Sequence, residues 1–181
     1  MKKFSLVLVA IFVLVLSFGQ AFAATYKHAD AKVEFSVPDT WKVEQAEGVF
    51  TIEAKGETEA DNISMQFEAV KAEDITKTME EAEKEISKWL VEKFGKEKSV
   101  LKEEGKLAEL KLNGMDAISQ LFTCNDGKFA VEITIIVTPA KKFMALYYYA
   151  SVEAEKKHEK EIGEIVNSIK PLAEGEGFEK K

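Results

Sequence analysis

The chain holds few side chains that could run nucleophilic, acid–base or metal chemistry, and their spacing limits what it does. Among 181 residues there are 2 histidines and 1 cysteine, against 32 acidic residues. A Ser-His-Asp centre would have to use His28 or His158, and no G-x-S-x-G stretch accompanies either. No Gly-rich phosphate loop, paired-cysteine motif or H-E-x-x-H pattern occurs. His28, in YKHAD, could join Asp30 in a weak metal pair, but an amino-terminal copper clip needs histidine third from the free amine. His158 has Ile162 at i+4, so a helix gives it no second ligand on its face, and it reads as a boundary residue. Cys124 has no His or Lys beside it to lower its pKa and reads as a small buried hydrophobe rather than a reactive thiol. No cofactor and no metal is expected. Carboxylates are plentiful, so two-carboxylate hydrolysis stays open on composition, although spacing singles out no pair.

Aromatic residues offer a second kind of chemistry, ligand contact. Trp41 follows a turn in FSVPDTW, where an indole can either close the end of a core or act as a platform. Tyr147, Tyr148 and Tyr149 are consecutive. In a strand, Tyr147 and Tyr149 face one side and Tyr148 the other. They pack a core, or they line a pocket beneath a helix. These four residues are the ligand-binding candidates.

The elements that must position them follow from periodicity. KVEFSV, GVFTIEA and NISMQFEAV alternate apolar and polar residues and predict three strands of an antiparallel meander. DITKTMEEAEKEISKWLVEKF has Ile75, Met79, Ala82, Ile86, Leu90 and Phe94 at helical spacing, with Asp74 as a candidate N-cap. After it, Asn113-Gly114 and Asp126-Gly127 predict hairpin turns, and Pro139 with two lysines predicts a third. FMALYYYASV is apolar on both faces, as befits a central strand. A last helix carries Ile162, Ile165, Val166 and Ile169, with Ser151 as candidate cap and Pro171 beyond its end. The expected fold class is α+β: an antiparallel sheet of about six or seven strands with two helices packed on it.

The ends are read separately. Lys2 and Lys3, the apolar run from Phe4 to Phe18 and the small residues Ala21 and Ala23 make residues 1–23 a signal peptide, with cleavage expected after Ala23. Residues 24–31 are expected to be a flexible N-terminus, 32–172 one domain, and 173–181 a disordered charged tail. Export implies a periplasmic or secreted protein without stable membrane insertion. The net charge is −7 and arginine is absent, so nucleic acid is not an expected partner.

FSVPDTW near the start, two further strands, an amphipathic helix, the NGMDA hairpin, the DGKF turn, the YYYAS strand and the closing IGEIVNSIKPL helix follow one another in a characteristic order. In this the chain resembles the PsbP-like superfamily, including the bacterial DcrB-type exported proteins. The resemblance runs from about Lys32 to Leu172. It implies an α/β/α sandwich around an antiparallel sheet, in proteins that are mostly non-catalytic binding or assembly factors. No metal ligand of that family falls on a position here.

The expected function is an exported, non-catalytic accessory module, a monomer or weak oligomer that binds an envelope protein or a small ligand. The alternatives are a small-molecule carrier with a tyrosine-lined pocket and a carboxylate-based hydrolase. Two buried acids facing each other in a cleft with raised pKa values would favour the last.

Overall fold

Period-2 alternation builds most of the protein, and two stacked antiparallel sheets result. The structure is a computed structural model that describes residues 23–54, 56, 62–74, 77, 80, 81, 84, 88, 91, 101–138 and 142–173. The strands are β1 (Ala23–His28), β2 (Val33–Pro38), β3 (Lys42–Ala46), β4 (Val49–Ala54) and β5 (Ile63–Val70). They continue with β6 (Lys102–Leu112), β7 (Met115–Cys124), β8 (Phe129–Val137), β9 (Phe143–Ser151) and β10 (Lys170–Pro171). The helix α1 spans Val152–Ser168, between β9 and β10. A seven-stranded sheet has the order β3-β4-β5-β9-β8-β7-β6, and a three-stranded sheet has β1-β2-β10. All described pairings are antiparallel. The α+β class and the antiparallel sheet expected from the sequence are present.

Turn chemistry sets the registers. Asn113 and Gly114 both take positive φ, 47° and 83°, the combination a two-residue hairpin turn needs, and they join β6 to β7. Asn125, Asp126 and Gly127, also at positive φ, turn β7 into β8. The third predicted turn lies between β8 and β9; its residues 139–141 fall outside the described set, but Thr138 N–H donates to Lys142 O across it at 2.8 Å. β9 is the fourth strand of seven and buries side chains on both faces, as a central strand should.

Two expectations need correcting. The predicted three-strand meander does not form: β2 does not pair with β4 but with β1 and β10 in the second sheet. Its Val33, Phe35 and Val37, all fully buried, lie face to face on the large sheet. Phe35 meets Phe67 at 4.5 Å and Phe50 at 5.3 Å between ring centroids, both edge to face. Alternation is the same whether a strand lies beside a sheet or on top of it, so the pattern alone does not separate the two. The second correction concerns residues 24–31. They are not a flexible lead-in: β1 pairs with β2 along its length, Tyr26 stacks on Phe35 at 5.8 Å, and His28 is buried.

The main core lies between the large sheet on one side and the small sheet plus α1 on the other, with Phe35, Phe67, Ile52, Met65 and Ile165 among its fully enclosed side chains. A second cluster on the reverse face of the large sheet contains Phe122, Cys124, Val131, Ile133 and Tyr147. Of the predicted mid-chain helix, Lys77, Glu80, Glu81, Lys84, Lys88 and Val91 are helical and exposed, and Lys77 pairs with Glu81 at 3.5 Å. Asp74 closes a 3₁₀ turn, Ala72–Asp74. The apolar stripe from Ile75 to Phe94 lies outside the described residues, as do residues 1–22 of the predicted signal peptide and 174–181 of the predicted tail.

α1 is fastened at both ends. At its start Ser151 Oγ accepts from Ala154 N–H at 2.9 Å. At its end the hairpin residue Asn113 donates through Nδ2 to the carbonyls of Asn167 and Ile169, at 2.6 and 2.7 Å. Those bonds satisfy carbonyls that a helix terminus leaves open. Ser168 Oγ donates to Ile165 O at 2.6 Å and accepts from Ser36 N–H at 2.8 Å, tying the same end to β2. Asn113→Gly keeps the positive φ of the turn but removes both side-chain bonds. It should cost about 1–2 kcal/mol in urea unfolding, and speed amide exchange in the last turn of α1 while leaving β9 protected. Unchanged exchange at Asn167 and Ile169 would show that the clamp is without effect.

Candidate ligand pocket beneath the C-terminal helix

Because α1 is held at its ends, its middle bridges a gap over β6, β7, β8 and β9. The gap is a cavity of about 150 Å³. Its apolar wall comes from Leu110 and Leu112 on β6, Leu146 on β9, and Ile162 and Val166 on α1. Its polar part contains Glu132 and Thr134 from β8, Tyr148 from β9, and Glu155, Glu159 and Asn167 from α1. Glu159 and Asn167 are exposed and Tyr148 is buried, so the space leads from the surface down to the sheet. No lysine or histidine lines it.

A hydrogen-bonded chain crosses the floor. Thr134 Oγ1 donates to Ser119 Oγ at 2.9 Å, and Ser119 Oγ donates to Glu132 Oε1 at 2.5 Å. Tyr148 OH donates to Glu155 Oε1 at 3.0 Å and is also hydrogen-bonded to Glu132. Burial pushes the Glu132 carboxyl above the usual range, outweighing the hydrogen bonds from Ser119 and Tyr148 that favour the anion. Burial likewise raises Glu155, and Glu159 nearby adds to the rise. Tyr148 is pushed well above an ordinary phenol by burial first, then by the charges of Glu132 and Glu155.

The aromatic candidates separate. Tyr148 lies at the cavity, whereas Tyr147 and Tyr149 point to the reverse face, where Tyr147 OH bonds to Gln66 Oε1 and Tyr149 packs on the Phe122 cluster. Trp41 is 5% exposed and outside the cavity lining. It closes the end of the main core and meets His158 edge to face at 5.6 Å. His158 is in turn paired with Glu161 at 2.6 Å. Trp41 Nε1 and His158 Nε2 are both buried without a hydrogen-bond partner. His28 sits against Phe50 at 5.4 Å, accepts from Ala31 N–H through Nδ1, and has its pKa lowered by burial. Cys124 is buried, which pushes its thiol up to about 11 and leaves it unreactive as a nucleophile. Among the described residues no group of three or more His, Cys, Asp and Glu could hold a metal ion.

Glu132 and Glu155 are the residues that motif reading missed. One signal was present: Glu132 is the lone acid in FAVEITIIV, a strand with apolar residues on both faces. A charge there must either meet a partner or give up its ionisation.

No family model matches the chain, and no curated protein matches it. Solved structures do. LpqN of Mycobacterium tuberculosis, described as involved in cell envelope biogenesis, superposes with a TM-score of 0.52 at 17% identity, over 82% of this chain and 91% of that one. The cyanobacterial PsbP of Synechocystis superposes with a TM-score of 0.52 at 10% identity, over 88% of this chain and 98% of that one. At such identities the likeness is one of fold. No helix among the described residues is long and apolar enough to cross a membrane.

The raised carboxyls give a pH prediction. A folded-state pKa above the unfolded value adds stability below the unfolded value, and that stability is lost as pH rises through the folded pKa. Glu132→Gln keeps the bonds to Ser119 and Tyr148 without the ionisation. The variant should match the wild type near pH 4 and exceed it at pH 8 in urea unfolding. A wild-type advantage that grows with pH would contradict the assignment. By its architecture, with α1 folded back on a large antiparallel sheet, the chain has the PsbP-like α+β fold.

Proposed function

We propose that the protein is an exported, non-catalytic accessory module that binds a small ligand in the pocket beneath α1, with Tyr148 at its floor. The observation that carries this reading is the pocket itself: a space with a predominantly aliphatic wall and a few convergent polar groups, the usual make-up of a small-molecule site. Export is supported by Lys2, Lys3, the apolar run and the small residues before Ala24. The envelope role described for LpqN accords with such a location.

Hydrolysis by two carboxylates has one observation in its favour, since Glu132 and Glu155 both approach Tyr148. A glycosidase pair, however, needs environments that push its two acids apart, one protonated and one ionised. Here burial raises both in the same direction, and both bond to one phenol. The arrangement suits binding better than proton transfer across a scissile bond.

Two measurements test the proposal on protein taken from its own host envelope. Amino-terminal sequencing should begin at Ala24. Native mass spectrometry should show a co-purifying small molecule that is lost on unfolding. A protein found only with a macromolecular partner would replace the carrier reading with a docking role.

A further inference from the structure

Resting on the pocket reading above, we propose that the ligand is a small primary amine, carrying a single ring or an alkyl chain of about six carbons, with its ammonium group among Glu132, Tyr148, Glu155 and Glu159.

Two independent features of the site lead there. The first is its donor–acceptor balance. Three carboxyls and one phenol meet at the polar end, and no lysine or histidine lines the space to balance them. An ammonium offers three donors and a positive charge and accepts nothing. It complements this set, whereas a carboxylate or phosphate ligand would meet like charge. The lining also holds Leu110, Leu112, Leu146, Ile162 and Val166, aliphatic residues that take an apolar body. A cavity of about 150 Å³ holds one benzene-sized group.

The second feature is Gly163. It lies in the middle of α1 and lines the cavity. Its backbone is not at positive φ, and a Cβ built on it would meet nothing within 4 Å. Neither conformation nor close packing therefore requires glycine, although glycine in a helix interior costs about 1 kcal/mol relative to alanine. What its missing side chain preserves is space, on the face of α1 that looks into the pocket.

Binding would exchange protons. The amine is cationic at neutral pH and pairs best with ionised carboxylates, and burial raises the pKa of Glu132 and Glu155, so affinity should rise as pH rises through their titration.

The test uses calorimetry on protein purified from its host and stripped of ligand, with benzylamine, benzyl alcohol and benzoate as probes. Benzylamine should bind about tenfold or more tighter than benzyl alcohol, and benzoate weakest of the three. Glu155→Gln should abolish the preference for amine over alcohol. Gly163→Leu should block both probes, and Gly163→Ala should raise Tm while weakening both, which keeps the test valid if the leucine variant folds poorly. If the alcohol binds as tightly as the amine and Gly163→Ala weakens both, the pocket stands and the amine assignment falls. If no probe binds, or both bind undiminished to the Gly163 variants, the pocket reading falls with it.

Discussion

The structure depends on how α1 is held. Ser151 fixes its first turn, and Asn113 and Ser168 fix its last, so the helix is tied to strands from both sheets. Between those points its apolar residues Ile162 and Ile165 are buried, while Gly163 and the carboxylates upstream leave the contact incomplete. A helix packed evenly along its length would erase the cavity. One fastened only by burial would be free to settle into it, because aliphatic contacts have no preferred direction. Directional bonds at the termini keep the middle of the helix raised above the sheet.

The electrostatics follow from the same geometry. Three acidic side chains converge at one end of a space without a basic neighbour. In water they would be ordinary surface carboxylates. Beneath a helix, with a phenol between them, Glu132 and Glu155 become groups whose ionisation opposes folding. A charge inside a central strand is costly, and FAVEITIIV retains it at Glu132 where another β-branched residue would have packed more readily.

Much of the architecture was legible because it is governed by local chemistry. Asn113-Gly114 demands positive φ twice and therefore marks a hairpin. FMALYYYAS has no polar face and therefore sits centrally. Ser151 precedes a helix whose N–H groups need an acceptor. Other elements escaped for physical reasons. β1 presents only Tyr26 and His28 to its neighbours, and β3 is an edge strand with Val43 alone half-buried, so neither shows a strong alternation. β2 shows one, but stacking on a sheet and joining its edge leave the same trace in sequence. The pocket was half visible. The tyrosine triplet suggested a lining, and strand geometry placed Tyr148 opposite its neighbours, but which face lay under α1 depended on long-range packing. Glu155 and Gly163 matter through what lies across the gap from them, which no local pattern encodes.

The cavity has a further property. Every residue that lines it falls between Leu110 and Asn167, one unbroken length of chain made of successive hairpins and the helix that follows them. The seam between β5 and β9, by contrast, sets Ile63 opposite Ala150 and must close a long loop before any contact repays the entropy lost. Zipping of β6 through β9 and the folding back of α1 require only near neighbours. The cavity can thus take shape early, with the N-terminal strands arriving afterwards as a brace, so that its outline and its rigidity are acquired at different moments in the life of the newly folded chain.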